Sequence, residues 1–475
     1  MSWMNKATCF LLSVSILLSG CAAPPKRHPP PSAAPPEAEP QIPQDRGKEL
    51  GKEFLKEARK QYRFIKDQEV VDAVNQVGRR LVAAAGGDPE AFHYFVLDDI
   101  ELNAFAIPGG YIFVFDGLLT KLNTEDELAG VLAHETGHVM HNHFFKNESQ
   151  ISALSLATIA AILFSRGRAA GSSIALATNT AAQLHFSREN EDEADASGME
   201  YVKEAGFDPK GMLNFFQTLL DYERINGGDQ MPAYLETHPE LDDRIHLSEL
   251  RMVRPVDHVL AAPRKFIDWG RVETIIRAKT ETWQDPAQLF PERSAGAVPD
   301  ERHHYLAGLA YLTTDRVAQA IAEYRAALAV SPTNPVYHAD LATAYLKSQD
   351  IDRAKAEALE SLKESKPGEE LPSAYFVLGM VEEHAGRPEE ARQAYEEAVR
   401  RNPDHAFANY HLGQVYLQTG KTLEGTYHTA RYLRLNMEPE AALQEFRNAK
   451  KLAPKDGDLA RKIQDQIDQI VRDGI

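Results

Sequence analysis

Apolar residues along this chain change period several times, and each change marks an element. Phe10 to Leu18 form an apolar stretch after Lys6 that is too short to span a bilayer. Residues 103–107 and 111–115 are short apolar and aromatic runs on either side of Pro108-Gly109-Gly110, a pattern that predicts a β-hairpin. The period then lengthens. Leu128, Val131, Leu132 and Val139 lie at helical spacing, and Thr124-x-x-Glu127 forms a capping box at the start of that helix. Ser187 is a candidate N-cap for a helix that Gly206 can terminate. Asp208-Pro209 supplies an N-cap and first-turn proline to the next, whose Met212, Phe215, Phe216, Leu219 and Leu220 read as core. Residues 151–164 are mostly Ile, Leu and Ala, and a Gly- and Ala-rich segment follows to Ala182. That stretch reads as buried helices or as a cover that opens and closes over a site; membrane contact is a lesser reading.

Pro, Ser, Gly and charged residues dominate 285–300 and mark a domain boundary, after which the pattern becomes periodic. Gly308, Ala342, Gly379 and Gly413 recur at steps of 34, 37 and 34. Gly308 and Gly379 are followed at +12, +19 and +24 by Ala320, Ala327, Pro332 and by Ala391, Ala398, Pro403. This is tetratricopeptide spacing, in which small residues let paired helices approach and prolines end each unit. Ala430, Ala442, Ala449 and Pro454 fit the same template but begin 17 residues after Gly413, half a period. One helix, about 423–436, is therefore expected to close one hairpin and open the next. Such stacks present a concave surface to peptides or partner proteins, or serve as a scaffold that caps and spaces an enzyme.

Chemistry concentrates at His134-Glu135-Thr136-Gly137-His138. Histidines four apart on a helix differ by about forty degrees around its axis, so both rings project toward one point. That is the geometry of a two-nitrogen metal clamp, and Glu135 can take a proton from a water at the same place. A catalytic zinc needs a third protein ligand. Ser187-Arg188-Glu189-Asn190-Glu191-Asp192-Glu193-Ala194-Asp195 offers several, with Glu191 and Asp195 on one helical face. Glu191 could bind a metal while Asp195 accepts the free N–H of a ligating histidine; the alternative is a solvated acidic face. His141 and His143 continue the helix at angles wrong for the same ion, and read as structural or solvent-facing.

His134-Glu135-x-x-His138 with Glu191-x-x-Ala194-Asp195 resembles the gluzincin metallopeptidases of the CAAX prenyl protease type, over roughly residues 46–250. Asn103-Ala104-Phe105-Ala106-x-Pro108-Gly109-Gly110 and Thr237-His238-Pro239 with Arg244 look like further segments of that family. The resemblance implies one Zn2+ held by His134, His138 and Glu191, Glu135 as general base and Asp195 behind the ligands. It places His238 over the metal, as oxyanion donor or as an occupant of the open position that keeps the enzyme latent; a lone loop histidine is otherwise usually solvent-exposed. It also implies that an edge strand beside the metal pairs with extended substrate, whereas the pattern alone favours an ordinary core hairpin. The fold class is then mainly α with a small β-sheet, an α+β gluzincin peptidase domain over residues 46–290, followed by an all-α tetratricopeptide solenoid over 301–470.

Leu18-Ser19-Gly20-Cys21 resembles a bacterial lipoprotein signal, with residues 1–20 removed, Cys21 acylated, and Ala22 favouring the outer membrane; a plain secretory signal is the competing reading. Only Cys9 and Cys21 occur, so no disulfide forms within a chain cleaved there. Residues 22–45 hold nine of the 27 prolines, which favours an extended linker for the anchored segment 21–45, reaching about 70 Å. The net charge of −18 argues against a nucleic-acid partner. Expected partners are the membrane through the lipid anchor, unfolded or misassembled protein substrates, and outer-membrane assembly machinery through the repeats, the last by analogy with members of the family that also carry such repeats. Two function classes follow: a zinc endopeptidase that degrades misassembled envelope proteins, and a non-proteolytic chaperone or assembly scaffold with a latent zinc site. An intact Glu135 favours the first, since a structural site needs no base.

Overall fold

The computed structural model describes residues 44–146, 186–225, 232–252, 267–281, 285, 300–454 and 456–473. The expectations for the signal, Cys21, nearly all of the linker and the 151–182 segment lie outside these residues. Helices α1 (Gln44–Gln61) and α2 (Gln68–Ala84) precede strand β1 (His93–Leu97), and the expected hairpin follows as β2 (Ala104–Ile107) and β3 (Tyr111–Phe115). Gly109 and Gly110 both have positive φ, 90° and 86°, which explains why glycines stand at the turn. The three strands form a sheet of order β1-β3-β2, with β2 antiparallel and β1 parallel to β3.

Alternation along these strands sends side chains to two apolar layers. Tyr94, Val96, Ala104, Ile112 and Val114 join the main core with α2. Phe95, Phe105, Tyr111, Phe113 and Phe115 pack beneath Phe54, Leu55 and Ala58 of α1. There the Phe113 ring stacks between Phe95 and Phe105 at 5.0 and 5.1 Å. After the short α3 (Asp116–Leu119) comes α4 (Glu125–Met140), whose Leu128, Val131 and Leu132 are wholly buried as its spacing predicted.

Short α5 (His143–Lys146) ends the first described stretch, and α6 (Arg188–Ala205) and α7 (Lys210–Ile225) cross α4 closely. Small residues set that approach. A Cβ on Gly137 would lie 3.0 Å from the Ala194 backbone, and one on Gly130 would lie 2.6 Å from that of Met212. Gly206 ends α6 in the left-handed conformation, φ 85°. Asp208 accepts from Lys210 N at 2.9 Å to start α7, whose Met212, Phe215, Phe216 and Leu219 are buried as expected. Helices α8 (Ala233–Thr237), α9 (Leu241–Met252) and α10 (Trp269–Thr280) complete this region.

Paired helices follow: α11 (Glu301–Thr313) with α12 (Val317–Val330), α13 (Pro335–Lys347) with α14 (Ile351–Glu364), and α15 (Pro372–His384) with α16 (Pro388–Arg401). Gly308 faces the Tyr324 ring and Gly379 that of Tyr395, so the expected small positions are where helices touch. Of α17 (Ala406–Gln418), α18 (Thr422–Leu435), α19 (Pro439–Leu452) and α20 (Asp458–Asp473), α18 packs on both α17 and α19. That is the shared helix expected from the half-period phase. The repeats dock on the peptidase region through Arg271 of α10, which reaches Glu69 of α2 as well as Asp340 of α13 and the Tyr305 hydroxyl, while α10 itself is held within the peptidase region by Trp269 Nε1 donating to Leu122 O at 3.1 Å. Among the described residues, no helix is long and apolar enough to cross a membrane.

Two predictions concern this framework. Gly379→Ala places a methyl against the wholly buried Tyr395 ring, and overpacking of this kind costs about 1–3 kcal/mol; calorimetry should show a lowered unfolding temperature, while an unchanged one contradicts the helix contact. Asp116 accepts from Asp99 N at 3.0 Å through Oδ1, its Oδ2 has no partner, and burial, aided by Asp98 and Asp99, raises its pKa to about 7. Its raised pKa means that the folded state holds a proton the unfolded chain releases between about pH 4 and pH 7, so this group's contribution to stability falls across that window. Asp116→Asn should therefore gain stability over wild type at pH 8 relative to pH 5, and a difference independent of pH contradicts the account.

Candidate metal centre

Local signals build each part of the site. Thr124 Oγ1 caps α4 by accepting from Glu127 N at 3.2 Å, while the Glu127 carboxylate turns back to Asn123 N at 2.7 Å, one residue before the cap. Its Asp and Glu residues in the first turn also suit the helix dipole. Ser187 Oγ accepts from Asn190 N at 3.2 Å, as expected of an N-cap, and starts α6 so that Glu191 and Asp195 face α4. His238 sits at the C-terminal cap of α8, and α9 carries Arg244 inward from the other side.

These elements bring His134, His138, Glu191 and His238 together; among the described residues they are the only group of metal-binding type. His134 Nε2 and His138 Nε2 lie 2.9 Å apart. Glu191 places Oε2 3.5 Å from the first and Oε1 3.3 Å from the second. His238 Nδ1 is 3.2 Å from His134 Nε2 and 3.0 Å from Glu191 Oε1. A tetrahedral zinc with bonds of about 2.0–2.1 Å has ligand separations of about 3.3 Å, so these atoms stand where one ion's ligands would. The donor set also needs a cation: imidazole nitrogens facing one another beside a carboxylate, in a site closed to solvent, are otherwise poorly compensated. Glu191 Oε2 has no hydrogen-bond partner.

Asp195 Oδ1 accepts from His134 Nδ1 at 2.8 Å, which fixes that ring with Nε2 toward the cluster. Arg244 clamps Asp195 with two bonds of 2.8 Å and approaches Glu191 Oε2 at 2.9 Å without hydrogen-bond alignment. Burial alone would raise the Asp195 pKa; Arg244 and His134 outweigh it and bring it to about 2. Glu191 likewise is held well below the carboxylate range by His238, Arg244 and His134 against the cost of burial. Glu135 differs. Burial raises its pKa despite His238 and His134, and neither of its oxygens has a hydrogen-bond partner. His238 Nε2, also without one, lies 3.6 Å from Glu135 Oε1.

Every expected site residue within the described chain therefore converges, His238 included. One expectation fails: His143 does not continue the metal helix. α4 stops at Met140, Asn142 adopts φ 52°, and His143 folds back wholly buried against His138. Asparagine tolerates that left-handed turn, and this was the signal available in the sequence. His141 lies beside it, with Nδ1 3.1 Å from Glu193 Oε1. Two aromatic neighbours carried no sequence signal: Phe186 stacks on His138 at 4.0 Å and Tyr234 on His238 at 4.4 Å.

Comparison with known proteins agrees with this geometry. Residues 70–251 match peptidase family M48, and 287–335, 339–406 and 385–457 match tetratricopeptide repeats. The chain is 27% identical over 368 residues to the beta-barrel assembly-enhancing protease of Escherichia coli (strain K12), covering 75% of this chain and 74% of that one. It is 33% identical over 178 residues to the mitochondrial metalloendopeptidase OMA1 of Schizosaccharomyces pombe, covering 37% and 51%. The convergence of the motif residues and these similarities identify a zinc-dependent metalloendopeptidase in which a peptidase family M48 domain is joined to C-terminal tetratricopeptide repeats.

Proposed function

We propose that this enzyme degrades misfolded or misassembled proteins of a bacterial envelope, working in the periplasm from an anchor at Cys21, with the repeats recruiting substrate or assembly machinery. Its ligands are His134, His138 and Glu191, with Asp195 orienting His134. The observation that carries the proteolytic reading is Glu135, a buried carboxylate with both oxygens unpartnered beside the ligand cluster. A structural zinc site has no use for such a group, which sets the chaperone reading second.

Zinc at this cluster supplies Lewis acidity toward a peptide carbonyl and an attacking water. Glu135, next to the ligand His134 and with both oxygens free of hydrogen bonds, would take the water's proton and pass it to the departing amine. β2 ends the sheet beside α4, which suits backbone pairing with an extended chain and hence tolerance of many sequences. A catalytic zinc keeps a position open for the reactants, whereas four protein ligands close the site. His238 Nδ1 lies within 3.2 Å of His134 Nε2 and 3.0 Å of Glu191 Oε1, so with a zinc ion bound it would close the position the reactants need. Withdrawal of His238 opens it and leaves its imidazole able to donate to the oxyanion of the substrate.

The lipobox-like Leu18-Ser19-Gly20-Cys21 and the proline-rich segment after it support a tether, with outer-membrane sorting inferred from Ala22. The name of the Escherichia coli relative supports a role for the repeats near barrel assembly.

Glu135→Gln should abolish cleavage of an unfolded outer-membrane protein while zinc content stays at one per chain; equal cleavage by variant and wild type contradicts the role given to Glu135. His238→Ala should weaken zinc retention, as loss of an occupant of the site requires, whereas a fall in kcat with unchanged zinc affinity would assign His238 to the oxyanion alone.

A further inference from the structure

His134 and His138 are oriented by different means. Behind His134 stands a carboxylate, Asp195, at 2.8 Å. Behind His138 stands another imidazole: His143 Nδ1 lies 2.9 Å from His138 Nδ1, and the two rings meet edge to face at 77°. On its far side His143 Nε2 lies 3.1 Å from Glu193 Oε2. These contacts, with the assignment of His138 as a ligand in the preceding section, determine every proton. His138 presents Nε2 to the ion, so its proton is on Nδ1. That N–H needs an acceptor, which requires a lone pair on His143 Nδ1. The proton of a neutral His143 is then on Nε2, where Glu193 accepts it.

We propose that His143 is a positioning residue: it accepts the Nδ1–H of His138 and, itself oriented by Glu193, fixes that ligand's tautomer and ring plane. A second metal site is the competing reading of three histidines and a glutamate, but among the described residues His141, His143 and Glu193 are not gathered into a metal-binding group. Simple packing is the other. An apolar ring would fill the same volume but would strand the His138 N–H in a site closed to solvent, at a desolvation cost of about 1–3 kcal/mol. The fold is arranged for this contact. In a continuing helix residue 143 would lie about 140° around the axis from residue 138, away from it, and only the left-handed turn at Asn142 folds it back.

The test is zinc affinity measured by competition with a chelator, on wild type, His143→Phe, His143→Asn and Glu193→Ala, each with the unfolding temperature of the zinc-free protein. The asparagine side-chain oxygen stands near the place of the imidazole Nδ1 and keeps an acceptor, whereas phenylalanine keeps only the ring. His143→Phe should bind zinc roughly 10- to 100-fold more weakly, the range for loss of an orienting partner, and the visible spectrum of its cobalt(II) form should change. His143→Asn should recover most of the affinity and the wild-type spectrum. Wild-type affinity in His143→Phe, or equal losses in the phenylalanine and asparagine variants, overturns the proposal. Should His143→Phe not fold, Glu193→Ala carries the test, because the Glu193 side chain is 43% exposed and can be replaced at the surface; undiminished affinity there overturns the relay. Failure of wild type to bind zinc, or binding that survives His134→Ala, would instead refute the ligand assignment itself.

Discussion

The close approach of α4 and α6 is the constraint on which the site depends. Ala194 sits against Gly137, inside the histidine motif, and Gly198 sits against Ala133, one residue before it. Larger residues at either glycine would push the helices apart and carry Glu191 away from the histidines. The spacing of the pentapeptide makes two ligands; only the small residues across the interface deliver the third. The glycine in the motif is thus a packing residue, and the metal geometry is a consequence of helix contact.

That contact places several ionisable groups in a volume closed to solvent, and Arg244 organises them. Its two bonds to Asp195, its approach to Glu191 and a bond of 3.3 Å to the His238 carbonyl join α6, α9 and the histidine turn. A buried ionic group without partners would be prohibitively costly, so such a cluster persists only with each charge opposed. The contrast between carboxylates follows from this arrangement. Asp195 and Glu191 face Arg244 and remain charged; burial outweighs the nearby cations at Glu135, whose oxygens accept no hydrogen bond, and leaves it the more basic.

What was legible in the sequence was what local chemistry decides. The Thr124 and Ser187 caps, the glycine-bearing hairpin, the Gly206 stop and the repeat phase that makes α18 shared all depend on residues a few positions apart. β1 escaped notice because a five-residue strand held by parallel pairing to β3 has no turn signal joining it to its partner. His143 was expected to continue α4 because helical extrapolation ignored the turn at Asn142, although its structural alternative holds, since it is buried against His138. Phe186 and Tyr234 reach the site through stacking between distant segments, and Arg271 joins the repeats to the peptidase region through partners on α2 and α13; no periodicity announces either. The relevance of His238 and Arg244 came from family resemblance, since a turn histidine and a helix arginine have no local mark of burial.

The repeats and the catalytic region share one apolar core that runs from Val70 through Trp269 and Tyr305 to Val381. The peptidase region and the repeats are therefore a continuous structure, in which the ligand cluster is the chemical centre. Anomalous diffraction at the zinc edge from crystals of the zinc-loaded protein tests that centre most directly. The account predicts one ion bound by Nε2 of both His134 and His138 and by the Glu191 carboxylate, with Asp195 on His134 Nδ1. An ion bound through the Nδ1 atoms, or bound without Glu191, would contradict it.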